Sequence, residues 1–310
     1  MTPERLKTRL ERGDFVVTAE ITPGLTVDGA AFLAHAEPLK GRADAVNVTD
    51  GAGARVAMSS LAGAALLARA GIEPIMQATC RDRNRIAIAA DLIGAAALGI
   101  ENILVLRGDD PTGGDEPDAK PVFDLESRDV IAIAQRMRDA GKVPSGRDLG
   151  SRPAFYIGAA DVPFDAPPDW KPSALQAKIE AGAEFLQTQF CFEPLVAQRY
   201  LERLGEFGIL EQLSVIVGVG PVVSARSAHW MNENLFGVTV PEPLIRRLEG
   251  AADQAAEGQR ICVELIERYK AMPGVSGVHI MAPAQGPQRI AAVIDAAMPE
   301  RSGRTVTRSE

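Results

Sequence analysis

Two acids in this chain stand where short apolar runs end, a placement that suits work on a bound molecule. Glu20 closes Phe15-Val16-Val17-Thr18-Ala19-Glu20, and Asp109 closes Ile103-Leu104-Val105-Leu106-Arg107-Gly108-Asp109. If Glu20 points into an apolar mouth, desolvation favours its protonated carboxyl, and the residue reads as a general acid. It reads equally as a solvated strand-end carboxylate with one ion-pair partner. Gly108 lets the backbone approach a ligand closely. Beside it, Asp109 could hold a substrate or tune a polar ring, and Arg107 could offset negative charge. The same turn could be internally paired and only shape the exit of the strand.

A second set of residues offers polar recognition. In Gln187-Thr188-Gln189-Phe190, strand alternation puts Gln187 and Gln189 on one side and Thr188 on the other. A glutamine donates and accepts at once, which suits a planar heterocycle. Phe190 and Phe192 could stack on such a ring or seal the core. Lys178 could meet a phosphate or simply lie exposed. Thr79 to Asn84 carries a hydroxyl, a thiol, two arginines and an acid ahead of a helix, where Asp82 or Asn84 could serve as the cap. Cys80 has no neighbouring histidine to activate it. The three cysteines and three histidines are scattered, without CxxC or HExxH spacing, so no metal site and no disulfide framework is expected.

The elements that must position these residues are short strands alternating with helical patterns. Strands are predicted over residues 15–21, 45–48, 74–78, 102–106, 154–159, 185–190, 214–219 and 277–281. Helices are predicted over 28–39, 59–70, 85–98, 127–140, 195–204, 225–234, 243–248, 251–270 and 288–296. Such alternation builds parallel βαβ units. A count of eight strands favours an α/β fold that closes as a single (βα)8 TIM barrel, which removes exposed edges and gathers the strand ends at one mouth. Residues 112–124 read as a long loop on that face. No domain boundary is visible, so residues 1–300 read as one barrel and 301–310 as a polar tail.

Composition narrows the function classes. The chain has 310 residues, 46% of them hydrophobic and 24% charged, the balance of a soluble globular protein. A net charge of −8 argues against a nucleic-acid surface. There is no apolar run of membrane-spanning length and no secretory pattern among the charged first fifteen residues, so a cytoplasmic location is expected. No Walker sequence is present, and Gly51-Ala52-Gly53 lacks the third glycine of a dinucleotide-binding turn.

Several stretches together resemble the methylenetetrahydrofolate reductase family. They are Thr18-Ala19-Glu20, Asn47-Val48-Thr49-Asp50, the run Thr79 to Arg85, Leu106-Arg107-Gly108-Asp109, the run Asp118 to Leu125, and Gly182 to Phe185 leading into Thr188-Gln189-Phe190. With the segment from Gly277 to Pro283 the likeness covers most of the chain. The resemblance implies an FAD-containing barrel, an oxidoreductase acting on a CH–NH group. It would reduce 5,10-methylenetetrahydrofolate to 5-methyltetrahydrofolate, with NADH or NADPH recharging the flavin. Glu20 then corresponds to the family's acid, Asp109 to the carboxylate near flavin and folate, and Gln189, with Phe190, to substrate contacts. Thr49, Gln77, Arg107, Asp109, Tyr156 and Lys178 correspond to flavin-contact positions. The sequence departs from the family pattern at Gln77, Ala174 and Ala177, and at Gly158 to Pro163. These departures leave open a related pterin-dependent enzyme with another electron donor, one served by a redox partner protein, or a non-catalytic folate-binding subunit. Oligomeric state is not legible.

Overall fold

The computed structural model describes residues 4–301. Eight strands close in sequence order into a parallel barrel, with the last hydrogen-bonded to the first. They are β1 (Val16–Ile21), β2 (Ala45–Val48), β3 (Pro74–Thr79), β4 (Asn102–Leu106), β5 (Tyr156–Asp161), β6 (Phe185–Phe190), β7 (Ser214–Val219) and β8 (Val275–Ile280). The expected TIM barrel is therefore the fold. Around and between the strands lie α1 (Leu6–Glu11), α2 (Gly29–Ala36), α3 (Ser60–Arg69), α4 (Arg85–Ala97), α5 (Ser127–Ala140), α6 (Ser173–Glu180), α7 (Pro194–Glu206), α8 (Ala225–Asn234), α9 (Glu242–Glu249), α10 (Gln254–Lys270) and α11 (Pro287–Ala297). Among the described residues no helix is long and apolar enough to cross a membrane.

Strand alternation sorts the side chains into two compartments. Val17, Ala19, Val46, Val48, Met76, Ile103, Ile157, Leu186, Val217 and Val278 point outward into the main core between sheet and helices. The opposite parity faces the lumen. At its N-terminal end the lumen is filled by Val16, Ala45, Ile75, Leu104, Tyr156, Phe185 and Ile216, joined by Leu6 and Leu10 of α1. Helix α1 thus plugs the bottom of the barrel, each leucine contributing about 2 kcal/mol of burial. Sequence reasoning offered no element before residue 15, because six residues rich in charge carry too short an apolar stripe to register.

Gly158 is required in this lower layer. A Cβ there would lie 2.3 Å from the Phe185 ring, which fills that space and stacks on Tyr156 at 4.9 Å. Helix starts follow local chemistry: Asp28 caps α2, Ser59 caps α3, and Asn84 caps α4 through Ile86 N and Ala87 N. Asp82 pairs with Arg81 instead.

Arg301, expected to open a polar tail, belongs to the fold. It closes a short 3-10 turn, Pro299–Arg301, and its guanidinium is buried against Asp44 at 2.8 Å. Asp44 also accepts from Val17 N at 2.8 Å, so this pair ties the last turn to β1. Residues 302–310 lie outside the described residues.

Candidate active site at the barrel mouth

The middle of the lumen is polar where barrels are usually filled by branched apolar side chains. Asn47 on β2 and Gln187 on β6 are not neighbours in the sheet, yet their amides pair across the lumen. Asn47 Nδ2 donates to Gln187 Oε1 at 2.6 Å, and Gln187 Nε2 donates to Asn47 Oδ1 at 3.2 Å. Gln187 Nε2 also donates to Thr18 Oγ1 at 3.1 Å, and Thr18 Oγ1 lies 2.9 Å from His279 Nδ1. All four residues are buried.

Glu20 sits directly above this layer, two residues beyond Thr18 on the same strand face. Its Oε2 accepts from Gln77 Nε2 at 3.1 Å and lies 3.7 Å from His279 Nε2. Glu20 is thus half-buried at the lumen's upper end, held on one oxygen by groups from β3 and β8. Gln77 is turned toward that acid. Thr49, at the exit of β2, is buried with its Oγ1 lacking any protein partner, a hydroxyl free to bond a ligand.

Asp109 takes a different position from Glu20. It is exposed in the loop after β4, and its Oδ2 accepts from Gly53 N at 2.8 Å. Asp115 similarly receives Val56 N, at 3.0 and 3.1 Å. The loops after β2 and β4 are therefore clipped together over one side of the mouth. Arg81 lies beneath, with Nη1 donating to Gly51 O at 3.2 Å and Asp109 O at 3.4 Å. Asp50 holds Thr79 through its N–H and hydroxyl, at 2.8 and 2.9 Å, and pairs with Arg83. Arg107 is exposed and lies over the Phe123 ring, 4.5 Å from its centroid.

The remaining expected contacts scatter. Gln189 is at the mouth, its Oε1 accepting from Phe190 N at 2.9 Å and its Nε2 reaching Phe236 O at 3.5 Å. Phe190 is not at the mouth. It is buried in the outer core, stacked on Phe192 at 5.6 Å, because its parity is opposite to that of Gln189. Tyr156 is likewise corrected. It opens β5, two residues into the strand predicted over 154–159, and so lies in the bottom layer, where burial pushes its phenol pKa up. Lys178 stands on α6 with its Nζ donating to Ala160 O at 2.6 Å near the end of β5. Cys80 faces the outer core, and burial pushes its thiol up to about 11, which leaves it unreactive at neutral pH.

Sequence reasoning missed the His279, Thr18 and Asn47 set and the rim residue Phe236. The signal for the first was present: His, Thr, Asn and Gln recur at inward parity in strands that are otherwise apolar. Phe236 is largely exposed beside Gln189, and nothing in its local sequence marks it.

A family model described as methylenetetrahydrofolate reductase matches residues 5–293. This chain belongs to the methylenetetrahydrofolate reductase family. It is 26% identical over 293 residues to a "probable methylenetetrahydrofolate reductase (NADPH)" of Caenorhabditis elegans, covering 89% of this chain and 41% of the relative. It is 25% identical over 219 residues to the 5,10-methylenetetrahydrofolate reductase of Salmonella typhimurium, covering 68% of this chain and 66% of the relative. The chain thus spans less than two thirds of the length of either. Among solved structures, an uncharacterized protein from Clostridium thermocellum that binds two copies of 5-methyl-5,6,7,8-tetrahydrofolic acid superimposes with a TM-score of 0.65. It shares 16% identity, over 96% of this chain and 99% of the other. A long-chain alkane monooxygenase does so at 0.57, with 11% identity over 96% and 93%. These two likenesses establish a shared fold.

Membership in the family is consistent with a flavin, but the residues present do not form a cradle for FAD. Thr49, Gln77 and Glu20 make a polar floor for a planar heterocycle. The diphosphate end lacks its counterpart. Lys178 gives one of its three donors to a backbone carbonyl, Arg107 lies over the Phe123 ring, and Tyr156 is at the far end of the barrel. Resident binding of a dinucleotide draws on several charge-assisted hydrogen bonds, each worth about 1.5–3 kcal/mol. A transiently bound co-substrate does not need them all.

Proposed function

We propose that this chain reduces 5,10-methylenetetrahydrofolate to 5-methyltetrahydrofolate, with NADH or NADPH supplying the hydride at the barrel mouth. The observation that carries this reading is Glu20, held over the lumen by Gln77 and His279 in a chain that matches the reductase family from residue 5 to 293. The methylene bridge of the substrate must first open. The carbon–N10 bond breaks, its electron pair leaves on N10 with a proton from Glu20, and the methylene carbon becomes an N5 iminium cation. Hydride addition to that carbon completes the N5 methyl group and leaves the nicotinamide oxidised.

The other residues bind and orient. Asp109 supplies negative charge on the side of the mouth where the cation forms. Gln189 presents an amide to the pterin's donor and acceptor edge. The Thr49 hydroxyl gains a partner when a heterocycle enters. Phe236 offers an aromatic face beside Gln189 for the planar part of the folate. The resemblance of the fold to a protein that binds a methylated tetrahydrofolate supports a folate as the ligand.

The test is anaerobic incubation of the purified protein with 5,10-methylenetetrahydrofolate and NADH or NADPH, with and without added FAD. Nicotinamide absorbance and the folate product are followed together, and the protein's visible spectrum is recorded beforehand. The expected result is 5-methyltetrahydrofolate formed in step with nicotinamide oxidation, without flavin absorbance and without dependence on FAD. No product under any of these conditions rejects the reaction. Product only with bound FAD keeps the reaction and rejects direct transfer.

A further inference from the structure

The polar chain beneath Glu20 has a direction that can be traced bond by bond. A glutamine Nε2 can only donate, so Thr18 Oγ1, 3.1 Å from Gln187 Nε2, is an acceptor in that bond. Thr18 Oγ1 has no further partner among the described residues, so its hydroxyl proton is satisfied only by donating to His279 Nδ1, at 2.9 Å. An Nδ1 that accepts makes the neutral imidazole an Nε2–H tautomer. That N–H faces Glu20 Oε2, which already accepts from Gln77. Gln187 is fixed in turn by the reciprocal amide pair with Asn47.

We infer that His279 is a positioning residue for Glu20. The Asn47–Gln187–Thr18 chain locks it as the Nε2–H tautomer, so that Gln77 and His279 hold Oε2 and leave Oε1 to carry the transferred proton. This inference rests on the reading of Glu20 as the proton donor. The 3.7 Å approach is longer than a hydrogen bond, and the inference requires it to shorten in the complex with substrate, as catalytic contacts commonly do. Glu20 is the one acid within 4.0 Å of the imidazole nitrogens among the described residues. Thr18 on β1 and Gly218 on β7 are its register partners in the neighbouring strands, and neither is charged.

The chemistry gives the lumen layer a reason to exist. A fully paired network of amides, hydroxyl and imidazole is no more stabilising than an apolar layer of the same volume. Its gain is a single defined proton arrangement directly under the acid.

The test uses the full chain labelled with 15N-histidine. Only His35, His229 and His279 contribute signals, and His279→Gln assigns the third. The expected spectrum shows His279 as one neutral Nε2–H tautomer. Thr18→Val, which keeps the side-chain shape, should give mixed tautomers. Its kcat should fall roughly 10-fold with KM little changed, and the alkaline limb of its pH profile, where the acid loses its proton, should move. His279→Leu should lose more, and His279→Gln, which keeps an amide N–H toward Glu20, should recover part of the loss. A Nδ1–H tautomer or free tautomer exchange in the wild type overturns the inference whether or not the enzyme turns over. So does an unchanged kcat and pH profile in a folded Thr18→Val. Absence of turnover in the wild type with the tautomer as stated sinks the proposed reaction and leaves the locked network standing.

Discussion

Asp109 gives the sharpest separation of charge from architecture at this site. The structure assigns it one hydrogen bond, from Gly53 N at 2.8 Å, which clips the loop after β2 to the loop after β4. The proposed reaction asks for its charge instead. Asp109→Asn removes the charge while leaving an amide oxygen for Gly53 N–H, so the loop stays in place. A unit charge roughly 5 Å from the iminium carbon, at an effective dielectric between about 20 and 80, is worth about 1 to 3 kcal/mol. That corresponds to roughly a 5- to 150-fold fall in kcat, with the lower half favoured because Asp109 is exposed and screened. Asp109→Ala should add a KM effect, because it releases the clip as well. Steady-state kinetics of the two variants, with thermal melts to confirm folding, makes the measurement. If Asp109→Asn keeps the wild-type kcat while only Asp109→Ala is impaired, the carboxylate is a loop clip and its electrostatic role is wrong.

Other residues carry separate expectations. Glu20→Gln can still accept from Gln77 but has no proton to give, so kcat should drop about 100- to 10,000-fold with folate binding retained; a loss under 3-fold in kcat would remove Glu20 from proton transfer. Glu73 is buried with Oε2 unpartnered, and desolvation raises its pKa above the ordinary 4.5. The folded chain therefore binds that proton more readily than the unfolded chain. The penalty is full above the raised value and vanishes as pH falls through it to 4.5. Glu73→Gln should raise Tm at neutral pH by a margin that shrinks toward pH 4.5, and a gain independent of pH would refute the charge argument. Arg301→Ala breaks the buried pair with Asp44 and should cost about 3 kcal/mol in denaturant unfolding, whereas a polar tail residue would cost nothing measurable.

The barrel was legible because βαβ alternation is a property of pattern. The strands at 45–48, 102–106, 185–190 and 214–219 were placed residue for residue, bounded by turn chemistry that the sequence shows directly. The site was legible only as far as parity was. Glu20, Thr49, Gln77 and Gln189 share the inward parity of their strands and reach the upper lumen or mouth. Tyr156, named from the family resemblance, also faces inward but opens β5 and so lies in the bottom layer, below the mouth. Phe190 fails by one position, which in a strand exchanges the two faces. Distances across the lumen, such as Asn47 to Gln187, join residues 140 positions apart, and no local pattern encodes them.

The plug at the bottom of the barrel has a kinetic consequence. Leu6 and Leu10 seal the N-terminal end against Val16, Ile75 and Phe185, so ligands enter the lumen region through the mouth. Folate and hydride donor therefore share one opening. Hydride passed directly between them requires both to be bound at once, with the nicotinamide ring against the one-carbon unit above Glu20. A resident FAD would remove that requirement, since donor and acceptor could occupy the opening in turn. Initial rates distinguish the two. Direct transfer gives double-reciprocal lines that intersect when both substrates are varied, and a carrier gives parallel lines. Because Tyr156 is buried in the bottom layer and alanines stand at 174 and 177, intersecting lines are expected. Parallel lines, with a half-reaction that reduces the protein before folate is added, would show a resident carrier and refute direct transfer.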